Sequence, residues 1–200
     1  MTRYAVLHME GNGLTPVRGG RVFEAAVVIV ENAVIKDSWH CLMNPGMVLP
    51  PFLTALTGIT PSMIRAAPAS ALAMKELTSF MGDALPVAHN VSIDRQRWQQ
   101  ELDLAGCKGR QDFLCTLRLA RRLYPWAGSQ RTAALAVLHG LTPHTLHNRA
   151  LDMALLKAQI FLRMQKDIAA LYPGENIDGS FLERYQSAGR AVARGLPEPL

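Results

Sequence analysis

Cysteine is scarce: Cys41, Cys107 and Cys115 are odd in number and lack metal-site spacing. That argues against a disulfide framework and suits free thiols in a reducing compartment. No apolar run approaches the ~20 residues of a bilayer-spanning helix. Met1-Thr2-Arg3 passes at once into the first apolar stretch, so no signal peptide is expected. The expectation is a cytoplasmic protein without a membrane partner. Internal repeats and low-complexity segments are also lacking. Acids are few, 16 against 21 Lys and Arg, which leaves a net charge of +5.

What is present fits a globular chain with a sizeable core: 200 residues, 49% hydrophobic and 18% charged. The positive charge is concentrated. Arg95, Arg97, Lys108, Arg110, Arg118, Arg121, Arg122, Arg131 and Arg149 face only Glu101, Asp103 and Asp112 in the same segment. Two readings fit this excess, a polyanionic partner or solvated helix faces.

Along the chain, strands and helices alternate. Tyr4 to Leu7 is an apolar run suited to a buried strand, carried on through His8 and Glu10 to the turn signal Gly11-Asn12-Gly13. Val22 to Val30 and Val34 to Met43, joined at Asn32-Ala33, complete an antiparallel three-strand meander. Short helical pieces follow at Pro50 to Leu56 and Pro61 to Ala66. The spacing then predicts a helix over Ser70 to Met81 capped by Ser70, a strand over Leu85 to Ala88 and a helix over Asp94 to Ala105. A strand over Asp112 to Thr116 precedes helices over Leu117 to Leu123, Ser129 to Leu138 and Arg149 to Leu171. The last of these shows apolar positions at 151, 155, 158, 162 and 168/169. One more helix is expected from Ser180 to Arg194. The fold class is α/β, a mixed sheet flanked by helices.

Three places gather chemistry. His8 and Glu10, two apart, share one face at a strand's end. In Ala88-His89-Asn90-Val91-Ser92-Ile93-Asp94 an acid follows a strand-to-helix junction, and in His147 to Asp152 an acid opens the long helix. A polar, solvated strand end explains His8 and Glu10 equally well when they are taken alone. Three carboxylates meeting at a sheet edge would repel one another unless cations neutralised them, and hard oxygen ligands suit Mg²⁺ or Mn²⁺. A neighbouring histidine can take a proton from water near neutral pH. Together these are the parts of two-metal hydrolysis at phosphorus.

The ordered motifs resemble those of the DEDDh 3′–5′ exonucleases, the DnaQ-like group that includes the proofreading epsilon subunit of bacterial DNA polymerase III. His8-Met9-Glu10-Gly11-Asn12-Gly13-Leu14 stands at the family's Asp-x-Glu-Thr-Thr-Gly-Leu motif. Ala88-His89-Asn90 through Asp94 matches the second motif, and His147 with Asp152 the third. Phe23-Glu24, Asn44-Pro45-Gly46, Thr57-Gly58-Ile59-Thr60, Ala67-Pro68 and Thr116 to Arg121 look similar too, and the resemblance covers residues 4–165. It implies a ribonuclease H-like fold, with an exonuclease-like domain at 1–172 and a tail at 173–200. It further implies two divalent ions, Mg²⁺ or Mn²⁺, held by Glu10, Asp94 and Asp152, with His8 at the remaining ligand position. His147 would be the general base. Gly11, Asn12, Gly13, Leu14 and Asn90 would contact the substrate, a single-stranded DNA or RNA 3′ end released as nucleoside monophosphates. A polymerase or another nucleic-acid-processing assembly is the implied protein partner.

The main departure is His8, where the family has the aspartate that bridges both metals. Imidazole brings no negative charge and tolerates Mn²⁺ better than Mg²⁺. His8→Asp is therefore expected to raise Mg²⁺-dependent cleavage about tenfold or more. Gly11-Asn12 replaces two hydroxyl-bearing residues, which implies a looser loop. Two functional classes fit: a 3′–5′ exonuclease, impaired or Mn²⁺-preferring, and a degenerate relative that binds nucleic acid or a protein without cutting. His40, His139 and His144 look isolated, His89 reads as a positioning residue, and Trp98 and Trp126 read as core residues.

Overall fold

The computed structural model describes residues 2–13, 18–142 and 149–187. The meander is β1 (Tyr4–Gly11), β2 (Val22–Glu31) and β3 (Val34–Leu42), followed by short helices α1 (Pro51–Thr57) and α2 (Pro61–Ala66). Then come α3 (Ser70–Met81), β4 (Leu85–Ala88), α4 (Val91–Ala105), β5 (Leu114–Cys115), α5 (Thr116–Leu123), α6 (Thr132–Leu138), α7 (Ala150–Leu171) and α8 (Gly179–Ser187). The five strands form one sheet in the order β3-β2-β1-β4-β5. β1 pairs antiparallel with β2 and parallel with β4, and β5 runs parallel to β4. This is the expected mixed α/β sheet. Asn32 and Ala33 both take positive φ, 52° and 58°, as a type I′ hairpin requires.

Alternation along β1 sorts its side chains between two cores. Tyr4 and Val6 pack with Val28, Val30, Phe161 and Met164 on the α7 face. Ala5, Leu7 and Met9 pack with Met74, Leu77, Trp98 and Leu102 on the α3–α4 face. By the same period of two, His8 and Glu10 continue the row that faces α7. Tyr4 meets Phe161 edge-to-face at 5.1 Å, while His8, further along the strand, meets Lys157, which is earlier in the helix. α7 thus runs antiparallel to β1 and delivers its N-terminus to the strand's C-terminal end.

Several boundaries differ from expectation. α4 starts three residues early, at Val91, which puts Asp94 in its first turn. Ser70 is the first helical residue of α3 and does not cap it; Ala69 stands at the cap, and the Ser70 hydroxyl is buried with no hydrogen-bond partner among the described residues. α6 starts at Thr132, because Ser129 spends its hydroxyl accepting from the Arg131 N–H. α7 buries Ala150, Ala154, Ala158, Phe161, Met164 and Ile168; of the expected stripe, 158 and 168 are buried, while Leu151, Leu155 and Leu162 are only partly buried against the same core. α8, in the expected tail, packs Phe181, Leu182 and Tyr185 into the α7-side core. Its Gln186 side chain accepts from the Cys115 N–H and donates to the Phe113 carbonyl, covering the short edge strand β5. The remainder of the expected last helix, 188–194, lies outside the described residues.

Candidate active site

The site lies where β1 and β4 end, the edge at which open α/β sheets gather ligands. His8 and Glu10 leave β1 on the α7 face. Asp94 sits in the first turn of α4, and Asp152 in the first turn of α7. Both positions offer unpaired backbone N–H groups and the positive end of a helix dipole, which favour a carboxylate. Asp94 is buried, with 6% of its surface exposed, and Asp152 is half-buried.

At the centre stands Lys157. It occupies the middle of α7's buried stripe and is only 6% exposed. Its Nζ lies 2.7 Å from His8 Nδ1, and His8 Nε2 lies 2.8 Å from Glu10 Oε1. An ammonium only donates and a carboxylate only accepts, so the tautomer follows: Nδ1 accepts from Lys157, and Nε2 carries the proton and donates to Glu10. Burial and the neighbouring ammonium push the His8 pKa down, against the pull of Glu10, consistent with a neutral ring. Burial holds the Lys157 pKa below the ordinary lysine value, with Arg97 adding to the fall and the charges of Asp94 and Glu10 opposing it. Two acids from distant segments therefore act on one buried amine. Arg97, one turn after Asp94, adds a second cation and donates to the Met9 carbonyl at 3.3 Å.

This arrangement does not fit the two divalent ions that the resemblance implies. Both nitrogens of His8 are engaged, so the expected fourth ligand has no lone pair free. Among the described residues, no three His, Cys, Asp or Glu side chains are grouped so as to hold an ion. The physical reason is electrostatic: a buried amine hydrogen-bonded to His8 already acts on the charges of both acids. Asp152 makes no hydrogen bond or ion pair to this group among the described residues. His147, the expected base, and Leu14, an expected substrate contact, lie outside the described residues, as does His144.

Gly11 and Asn12, after the acid of β1, are held more tightly than expected. The β1–β2 register shifts between Glu10 and Gly11, and a Cβ on Gly11 would stand 2.8 Å from the Arg21 carbonyl oxygen. Only glycine fits there. Asn12 is buried, donates to the Gly19 carbonyl at 3.0 Å and accepts from the Arg21 N–H at 3.2 Å. Gly13 is exposed at φ +76°. Asn90, exposed at φ +66°, links β4 to α4, and its side chain accepts from the Ser92 hydroxyl.

A polar cavity of about 710 Å³ adjoins Asn90, lined among others by His89, Arg121, Gln130 and Arg131. His89 contacts the Thr116 hydroxyl at 3.0 Å, and burial is the main cause that lowers its pKa to about 4. The basic segment is partly committed internally. Arg110 pairs with Asp112, and Arg149 with buried Glu24, whereas Arg118, Arg121 and Arg131 are exposed. His40 is not isolated: its Nε2 is 2.6 Å from Glu24 Oε1. Trp98 is a core residue that donates to the Arg110 carbonyl, but Trp126 is 70% exposed.

Lys157, which the sequence motifs do not single out, stands in direct contact with His8. A signal was available. The positions 150, 154, 157, 161, 164 and 168 follow helical spacing, and a lysine at the centre of an otherwise apolar stripe needs a partner below it.

Comparison with known proteins agrees with the fold. Residues 7–168 match the exonuclease family model. The chain is 31% identical over 166 residues to the DNA polymerase III subunit epsilon of Aquifex aeolicus, covering 82% of this chain and 81% of the relative. It is 29% identical over 167 residues to a PolC-type DNA polymerase III from Caldanaerobacter subterraneus, spanning 80% of this chain but only 11% of that protein. Among solved structures, exonuclease X in complex with 5′-overhanging duplex DNA superposes with a TM-score of 0.70 at 24% identity, over 93% of this chain and 99% of the other.

Proposed function

Because this chain belongs to the exonuclease family, whose 3′–5′ members are its relatives, we propose that it acts on 3′ ends of single-stranded nucleic acid. The reaction is hydrolysis of the terminal phosphodiester. Water adds to phosphorus, the bond to the 3′-oxygen of the preceding nucleotide breaks, and that oxygen leaves with a proton to give a nucleoside monophosphate. The observation that carries this reading is the convergence of Glu10 and Asp94, 84 positions apart in sequence, on one buried cation at the ends of parallel strands β1 and β4. Asp152, in the first turn of α7, is assigned the third acid's role, and His147 the proton of the attacking water. Exposed Arg121 and Arg131, beside Asn90, extend a basic path for the strand's backbone. A polymerase or another nucleic-acid-processing assembly is the proposed partner, by kinship with the epsilon subunit.

A second reading, a domain that holds a 3′ end without cutting it, is favoured by one observation: the Lys157–His8 hydrogen bond where ions would be needed. A 5′-labelled single strand incubated with the protein in Mg²⁺ or Mn²⁺ distinguishes the two. Stepwise shortening from the 3′ end that disappears in Asp94→Asn supports hydrolysis. A strand that is bound yet intact in both metals supports the second reading.

A further inference from the structure

We infer that the Lys157 ammonium is a resident cation of this site, standing among His8, Glu10 and Asp94 in place of a divalent ion and meeting the phosphate of a bound strand itself. The inference about metal stands on the geometry alone; the part about phosphate rests on the nucleic-acid reading of the cleft. Three observations carry it. Lys157 is almost fully buried in the apolar stripe of α7, where an unpaired amine would be costly, and its Nζ is directed at His8 Nδ1 at 2.7 Å. His8 passes that contact on to Glu10 at 2.8 Å, so the histidine has no free nitrogen. Asp94 is equally buried, has no hydrogen-bonded partner among the described residues, and is compensated by the charge of Lys157.

The substitution at position 8 and the lysine explain one another. An aspartate there would bring a further carboxylate that calls for a divalent ion. Neutral imidazole lowers the charge demand and supplies a lone pair that an ammonium can use. With Arg97 close by, Glu10 and Asp94 face two fixed single charges. A divalent ion entering this space would meet repulsion from both cations before it gained any ligand. A phosphodiester, singly negative, would not.

The test is the response of the full chain to MnCl2. Melting temperature is followed from micromolar to millimolar Mn²⁺ for wild type, Lys157→Arg and the double variant His8→Asp/Lys157→Met. Wild type and Lys157→Arg are expected to be indifferent to the ion. The double variant is expected to be stabilised by it, with Mn²⁺ affinity at least about tenfold above wild type. Equal stabilisation of wild type overturns the inference. Should the double variant fail to fold, electron paramagnetic resonance of Mn²⁺ mixed with wild type decides alone. An undiminished free-ion signal supports the inference, and a lost one overturns it. In a second arm, fluorescence anisotropy follows a labelled single strand in EDTA. Wild type is expected to bind, and Lys157→Met about tenfold more weakly; binding by wild type only when Mn²⁺ is present overturns the phosphate part. If no form binds the strand in any buffer, the nucleic-acid reading fails and the phosphate part falls with it, while the Mn²⁺ arm still decides the resident cation.

Discussion

At the scale of single residues, His8 and Lys157 form one unit, and substituting either alone changes the environment of the other. An aspartate at position 8 would first form an ion pair with the Lys157 ammonium, which remains in place. His8→Asp alone is therefore expected to raise Mg²⁺-dependent cleavage by less than about tenfold, and His8→Asp/Lys157→Met by more than that. Single-turnover cleavage of a labelled strand by both variants checks this; a single variant as active as the double one would show that Lys157 moves aside freely. The motif sequence alone leads to the larger expectation, a gain of about tenfold or more from His8→Asp, because the ammonium comes from a position 149 residues away. Glu10, Asp94 and Asp152 are conspicuous in sequence because each acid stands where a strand ends or a helix begins. Lys157 is not, since lysines on long helices ordinarily face solvent. What distinguishes it is the phase of the helix: a stripe through 151, 155, 158 and 162 leaves position 157 off the buried face, whereas the structure puts it on that face.

At the scale of elements, the orientation of α7 depends on Glu24. This carboxylate is wholly buried, accepts from the Arg149 guanidinium at 2.7 Å and the Ala150 N–H at 2.9 Å, and contacts His40 at 2.6 Å. It thereby fixes the first turn of α7, and Asp152 with it, against β2. Burial by itself would raise the Glu24 pKa, but the hydrogen bonds from His40, Arg149 and the Ala150 N–H together hold it below the ordinary value. A folded-state pKa below the unfolded one contributes stability above about pH 4.5, and that contribution is lost as pH falls through the folded value. Glu24→Gln is expected to lower stability at neutral pH by roughly 2–4 kcal/mol, since it leaves Arg149 short of its charge partner. The variant should also lose part of the wild type's destabilisation at acid pH. Urea melts of both forms at pH 7 and pH 4 measure this, and parallel pH profiles would count against the role assigned to Glu24. Phe23-Glu24 was visible in the sequence as a supporting motif, but its function as a clamp depends on partners that only the fold brings together.

At the scale of the molecule, the sheet was legible because its signals are local. The β-branched run of β2, the turn at Asn32-Ala33 and the apolar run of β1 each report their own neighbourhood. The start of α6, where the Ser129 hydroxyl is taken by the Arg131 N–H, was not, and α3 begins at Ser70 as expected but without a cap from its hydroxyl. The site was legible as a set of acids and illegible as a charge balance, because the cation that completes it comes from the buried face of a helix distant in sequence. In this exonuclease-family site an amine holds the place where a metal would stand. The most direct test of this claim is anomalous diffraction from a crystal soaked in Mn²⁺ and a nucleoside monophosphate. The claim predicts no Mn²⁺ peak between Glu10 and Asp94, with Lys157 Nζ still within hydrogen-bonding distance of His8 Nδ1. A Mn²⁺ peak ligated by Glu10 and Asp94, with Lys157 swung away, would contradict it.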